Sequence, residues 1–192
     1  MVREHFAPIV NLADAWQRLA IAQPAAPALV HDGRVVTWAD FARRAAGLAH
    51  HLVTSGCRQQ DTVTQFLRNT PHYLESIFAC AAAGLVPVNT NHRYTDGELT
   101  YLWDNAGVSA VVFAGEFTET CARLRPLFPR VHAWLHVDDG GGACPEWATP
   151  YEAAASSRPD GGDDAPPWPR TGDDLLLMYT CLLYTSPSPR DS

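Results

Sequence analysis

A chain of 192 residues, 46% hydrophobic and 18% charged, carries enough apolar material for one domain with a real core and too much for a disordered segment. Its formal net charge of −7 excludes the broad basic surface that nucleic acid requires. The longest mainly apolar stretch, residues 77–88, is interrupted by Gly84 and Pro87 and is too short to span a bilayer, and no basic start leads into an apolar run as in a signal peptide. Cys57, Cys80, Cys121, Cys144 and Cys181 form no C-x-x-C pair and no disulfide spacing, which reads as free thiols in a cytoplasmic protein.

Residues 11–23 place Leu12, Trp16, Leu19 and Ala20 at helical spacing, and Pro24 and Pro27 stop the helix. Ala28 to His31 and Val35 to Thr37 read as a hairpin turned by Asp32-Gly33. Thr37 with Asp40 resembles a capping box with a shortened acid. The helix it opens is expected to bury Phe41, Ala45, Leu48 and Leu52 and to close at Gly56. A strand over residues 62–67 leads to Thr70, expected to cap a helix opened by Pro71 that buries Leu74, Ile77, Phe78 and Ala81 and ends at Gly84. Residues 85–89 form the next strand. Thr95-Asp96-Gly97-Glu98 is a capping box for a helix burying Leu99, Leu102, Trp103 and Ala106. A third strand covers residues 108–113, Phe117, Cys121 and Leu124 mark a helix, and residues 131–137 form a fourth strand.

Strands alternating with helices of this length predict an α/β fold with a largely parallel sheet and flanking helices, connected by right-handed crossovers. Residues 156–172, with Pro159, Pro166, Pro167 and Pro169 among glycines and aspartates, read as a surface linker. Asp173-Asp174-Leu175-Leu176-Leu177-Met178-Tyr179-Thr180 then reads as a buried strand returning to the sheet from Leu175 and ending on a hydroxyl. Ligands of such sheets collect where strand ends meet loops.

Few residue clusters carry chemistry by themselves. His132 and His136 stand four apart on an expected strand, about 13 Å from each other, which does not suit a shared metal. His50-His51 fall on a helix and read as structural. Gly140-Gly141-Gly142 follows two aspartates that would repel phosphate, so it reads as a solvated loop. Trp103, Phe113 and Phe117 read as core. Asn89, Asn91, His92, Arg93 and Tyr94, between a strand and a helix, face a ligand or order the loop that docks the helix. No G-x-S-x-G, no G-x-G-x-x-G and no complete phosphate loop is present. Composition and spacing alone name no reaction.

Several stretches taken together do. Pro27-Ala28-Leu29-Val30 with Gly33-Arg34 and Thr37-Trp38-Ala39-Asp40-Phe41 resembles the opening of AMP-forming acyl-CoA synthetases, of the adenylate-forming superfamily. So does Leu67-Arg68-Asn69-Thr70-Pro71 with Tyr73-Leu74-Glu75. Gly84-Leu85-Val86-Pro87-Val88-Asn89-Thr90-Asn91-His92-Arg93-Tyr94, continuing to Glu98-Leu99, Tyr101-Leu102 and Asp104-Asn105-Ala106, is similar again, and residues 173–180 look like the strand that leads into that family's phosphate loop. The resemblance is collinear over residues 12–180.

The resemblance implies an enzyme that activates a carboxylic acid with ATP and Mg²⁺ and passes the acyl group from an acyl-adenylate to coenzyme A, with a fatty-acid or sterol-side-chain acid as the expected substrate. An aryl-CoA ligase is the alternative within the class, and a non-catalytic α/β partner-binding module the alternative outside it. The pattern then breaks. Where the family continues into Gly-Thr-Thr-Gly and Pro-Lys-Gly, this chain has Cys181-Leu182-Leu183. Thr180 alone matches the loop, as its first hydroxyl, and no catalytic residue or metal ligand carries over. The chain resembles roughly the first third of such an enzyme and is expected to be inactive alone, binding none of these cofactors. Cys181 to Asp191 resembles the translation of a transposase-end adapter used in sequencing libraries. Residues 1–180 are therefore expected to be the first part of an AMP-binding domain, and residues 181–192 a non-native tail.

Overall fold

The computed structural model describes residues 11–157, 166, 168–170 and 175–179. Helix α1 (Leu12–Ala22) is opened by Asn11 in a capping box with Asp14. A hairpin of β1 (Pro27–His31) and β2 (Arg34–Thr37) follows, turned at Asp32 (φ 47°) and Gly33 (φ 73°) as a two-residue primed turn requires. Helix α2 (Trp38–Thr54) starts on Thr37, whose side chain accepts from the Asp40 N–H. The Asp40 carboxylate accepts a hydrogen bond from the Thr37 hydroxyl at 3.0 Å, so the shorter acid bonds the side chain of the cap.

Strand β3 (Thr62–Phe66), helix α3 (Pro71–Ala83), strand β4 (Val86–Asn89), helix α4 (Asp96–Asn105), strand β5 (Val108–Ala114) and helix α5 (Thr118–Leu124) follow in strict alternation. Strands β6 (Ala133–Val137) and β7 (Thr149–Pro150), helix α6 (Tyr151–Ala155) and strand β8 (Leu177–Met178) complete the described elements. The main sheet is six-stranded, ordered β7-β6-β5-β3-β4-β8, and every pairing in it is parallel. The α/β expectation holds. Both faces are covered, as a parallel sheet demands. Along β5, Ala110, Val112 and Ala114 face α1, α2, α3 and α6, while Val111 and Phe113 face α4 and α5. Trp103, Phe113 and Phe117 pack in the second of these cores, as expected.

Four expectations need correction. Leu12 is 44% exposed, and α1 is anchored by Ala13 and Trp16 instead. Thr70 precedes α3 but makes no side-chain cap bond; Pro71 opens the helix without it. The buried face of α3 is Glu75, Ser76, Phe78, Ala79, Cys80 and Ala83, so of the four residues expected there only Phe78 is buried. Large apolar side chains drew that expectation, whereas small ones let α3 approach its neighbours closely. The last strand is only Leu177–Met178, with Leu175 and Leu176 exposed before it. Elements β7 and α6 have no counterpart in the sequence reading. Their residues are too few to show a period.

Helix α6 explains the buried acid. The Arg44 guanidinium on α2 donates to both Glu75 oxygens, at 2.8 and 3.0 Å, and to both Glu152 oxygens, at 2.6 and 2.8 Å. The Tyr151 hydroxyl donates to Glu75 Oε2 at 3.1 Å. Burial, then the Glu75 charge, pushes the Tyr151 hydroxyl well above its ordinary range, so it stays a donor. Three helices are thereby joined around a carboxylate only 1% exposed. Gly47 allows the α2–α6 contact, since a Cβ there would stand 2.1 Å from the Ala155 carbonyl oxygen. Within the proline-rich stretch, Trp168 Nε1 donates to the Ala83 carbonyl at 2.8 Å and the Pro169 carbonyl accepts from Gln59 at 2.7 Å. Trp168 is thereby bonded to the end of α3, and Pro169 to the segment between α2 and β3.

Replacing Glu75 with Ala leaves Arg44 Nε without its acceptor and the Tyr151 hydroxyl with only the distant His72 carbonyl, while Arg44 keeps Glu152. Urea denaturation should show a loss of about 3 kcal/mol for Glu75→Ala, against about 0.5 kcal/mol or less for Arg43→Ala, whose partner Asp40 is exposed.

Candidate functional site

The chain runs from β3 to β4 on one side, then crosses back to place β5 on the other side of β3. The loops after β3 and β5 therefore part, and the crevice between them at the carboxyl edge is the place where such sheets bind ligands. Leu67 to Thr70, Thr90 to Thr95, Gly115 to Phe117 and Asp138 to Gly142 gather along this edge, each following its strand.

Across the crevice Arg68 grips Glu116 in a two-point ion pair, Nε to Oε1 at 2.6 Å and Nη2 to Oε2 at 2.8 Å. The Arg68 hydrogen bond is the main reason the Glu116 carboxyl is held below its usual range. Asp139, beyond β6, accepts from the Glu116 N–H at 3.1 Å and the Gly141 N–H at 2.8 Å. The glycine loop is exposed as expected, yet its aspartate fastens it to the neighbouring strand end. Close approach makes this possible: a Cβ on Gly115 would lie 2.5 Å from Asp139 Oδ1, and one on Gly141 2.6 Å from the Glu116 nitrogen.

His136 lies on β6, 3% exposed, edge-on to Phe113 at 5.5 Å, and its Nε2 has no partner among the described residues. His132 precedes β6 and lies over Gly56. The two histidines are not brought together, and no group of three His, Cys, Asp or Glu side chains suited to a metal occurs among the described residues.

The polar cluster after β4 divides its work. Asn89 Oδ1 accepts from the Tyr73 hydroxyl at 2.8 Å, tying the strand end to α3. Thr90 is buried against the Thr64 hydroxyl of the central strand. Asn91 bonds the Arg93 N–H at 3.0 Å and starts the turn that delivers Thr95 to cap α4. These residues order the loop. Arg93 is exposed and forms no ion pair with a described carboxylate. β8 runs beside β4 with Met178 opposite Asn89, and the Tyr179 hydroxyl donates to Asn105 at 2.7 Å. Thr180, Asp173, Asp174 and residues 181–192 lie outside the described residues. The Arg68–Glu116 clamp was not legible beforehand, because its partners stand 48 residues apart and meet only through the crossover.

Gly115→Ala should push Asp139 off the Glu116 amide and lower stability by about 1–2 kcal/mol. Gly97→Ala, in the open first turn of α4, should instead raise stability by up to about 1 kcal/mol. Opposite shifts in denaturation midpoint are the expected readout.

A family model, described as AMP-binding enzyme, matches residues 16–181. The 3-oxocholest-4-en-26-oate–CoA ligase of Rhodococcus rhodochrous is 32% identical over 174 residues, covering 89% of this chain and 31% of that protein. A feruloyl-CoA synthase of an Amycolatopsis species is 39% identical over 165 residues, covering 85% of this chain and 29% of its own length. The chain thus spans about a third of these relatives. Among solved structures, acetoacetyl-CoA synthetase from Streptomyces lividans superimposes with a TM-score of 0.72 at 25% identity, over 78% of this chain and 25% of that one. Mycobacterium smegmatis MbtA shares the fold, with a TM-score of 0.73 at 23% identity over 88% of this chain and 31% of its own. An all-parallel sheet with its crevice between β3 and β5, and a family match across nearly the whole of it, have one reading: the chain belongs to the AMP-binding enzyme family.

Proposed function

We propose that this chain is the opening part of an AMP-forming acid–CoA ligase that acts in the cytoplasm on a fatty-acid or sterol-side-chain acid. In that reaction the substrate carboxylate forms a bond to the α-phosphorus of ATP as pyrophosphate leaves. The coenzyme A sulfur then bonds to the acyl carbon as AMP leaves. The observation that carries this reading is the family match over residues 16–181, which ends just where β8 has brought the chain to the carboxyl edge. Residues 1–180 are read as the first part of the AMP-binding domain, with residues 156–172 leading into β8 and residues 181–192 as a non-native tail. Thr180, next after Tyr179, is read as the first hydroxyl of the loop that holds the ATP phosphates. The cytoplasmic reading is supported by free Cys57, Cys80, Cys121 and Cys144, and by the lack of a membrane-spanning helix among the described residues.

The described residues do not fit a magnesium ion. Glu116 is engaged by Arg68 and Asp139 by backbone N–H groups, and no third ligand joins them. The chain is therefore given a scaffolding share in the reaction: it holds the sheet edge and the approach to the phosphate loop, and by itself completes no turnover. The sterol and fatty-acid reading is supported by the ligases of Rhodococcus rhodochrous and Mycobacterium marinum, the second named for both acid types. An aryl acid is the second reading, favoured by the 39% identity to feruloyl-CoA synthase.

The test joins residues 1–180 to the remaining two thirds of the Rhodococcus rhodochrous ligase. Acyl-adenylate and acyl-CoA formation are then followed with palmitate, a sterol-side-chain acid and ferulate. The chimera should form adenylate from one of the first two acids, and the 192-residue chain from none. A folded chimera that releases no pyrophosphate with any acid would sink the ligase reading.

A further inference from the structure

At the amino edge of the sheet, opposite the loops described above, lies a cavity of about 460 Å³. It exists because β7 pairs with β6 only at Leu135 and His136, leaving β6 uncovered at Ala133 and Trp134. Into this gap the chain places His51 and Ser55 from the end of α2, Arg125 from the turn after α5, and His132 from the approach to β6. No carboxylate lines it, in a chain with 21 acidic residues against 14 Lys and Arg.

The walls fix the cation. Trp147 is stacked on Phe113 at 5.5 Å and meets Trp134 edge-on at 5.8 Å. The Arg125 guanidinium lies over the Trp147 ring, 5.6 Å from its centre, and forms no ion pair with a described carboxylate. Its N–H groups therefore remain free for an acceptor. Burial, and then the neighbouring His50, holds His51 below its ordinary range, so at neutral pH its ring is uncharged and still carries one N–H donor. Ser55 adds a hydroxyl and His132 a second imidazole. These donors come from three separate segments, an arrangement that suits an acceptor with oxygens on several sides better than a flat carboxylate. Pro126, Pro129 and Trp147 offer an apolar rim beside them.

We propose that this cavity binds a small organic phosphate. The phosphate contacts Arg125, His132 and Ser55, and the organic group lies against Pro126, Pro129 and Trp147. The site is independent of the ligase reading, since none of its residues lies at the carboxyl edge.

The test titrates the isotopically labelled 192-residue chain with phenyl phosphate and, separately, inorganic phosphate, following the Trp147 indole N–H and the His132 ring by NMR. Saturable shifts at both residues are expected at millimolar phenyl phosphate, with weaker binding of inorganic phosphate, which has no ring to bury. Arg125→Ala should weaken phenyl phosphate binding about tenfold or more, Arg125→Lys less, and the hairpin variant Arg34→Ala not at all. Arg125 is exposed, so both of its variants should melt with the parent chain. Absence of saturable shifts, equal affinity for the two probes, or an equal loss in Arg34→Ala would overturn the proposal.

Discussion

Strand β3 carries a hydrogen-bonded neighbour on each side, β4 and β5, and the rest of the molecule is arranged around that fact. Every one of its residues is buried, including Thr62, Thr64 and Gln65. A strand in this position cannot turn a polar side chain to water, so its polar groups look for partners inside, and of their side-chain atoms only Gln65 Oε1 has none among the described residues. Thr62 donates to the Ala106 carbonyl, Thr64 reaches Val88 and Thr90, and Gln65 Nε2 donates to the Val63 carbonyl. Because β4 and β5 flank β3, the chain has to change direction between them. That reversal parts the loops after β3 and β5 at the carboxyl edge, where Arg68 and Glu116 span the gap.

The two faces of the sheet are secured in different ways. On the side of α4 and α5 the packing is aromatic: Trp103 meets Phe66, Phe128 and Trp134 edge-on, and Phe117 stacks on Phe66 at 4.2 Å. On the other side Trp16, Phe41 and Phe78 join α1, α2 and α3 by ring contacts as well, and α2, α3 and α6 are tied in addition by charge. Arg44 serves two carboxylates at once, one buried and one open to solvent. A buried carboxylate is costly unless its oxygens are all engaged, and both oxygens of Glu75 are. The arrangement sets the spacing of three helices more than it adds stability.

Function rests on the same economy of space. Gly115 has no side chain because the Asp139 carboxylate comes against it, and that contact joins the β5 and β6 loops into one rim. Arg68 and Glu116 bridge the crevice below.

The sequence by itself determined the order of the elements. Apolar spacing, the Thr37 and Thr95 caps, the Asp32-Gly33 turn and the glycines after the helices are local signals, readable without knowing what lies across the fold. The collinear family motifs were legible for the same reason, and they pointed to the carboxyl edge as the place of the chemistry. Only the tertiary structure decided which face of α3 is buried, that Glu75 would lie inside, that residues 149–155 would form β7 and α6, and that Arg68 would meet Glu116. Each of these depends on side chains distant in sequence: Arg44 lies 31 residues from Glu75 and 108 from Glu152. Periodicity reports what a segment can bury. Which partner it is buried against is settled only when the crossovers bring separate segments to one place.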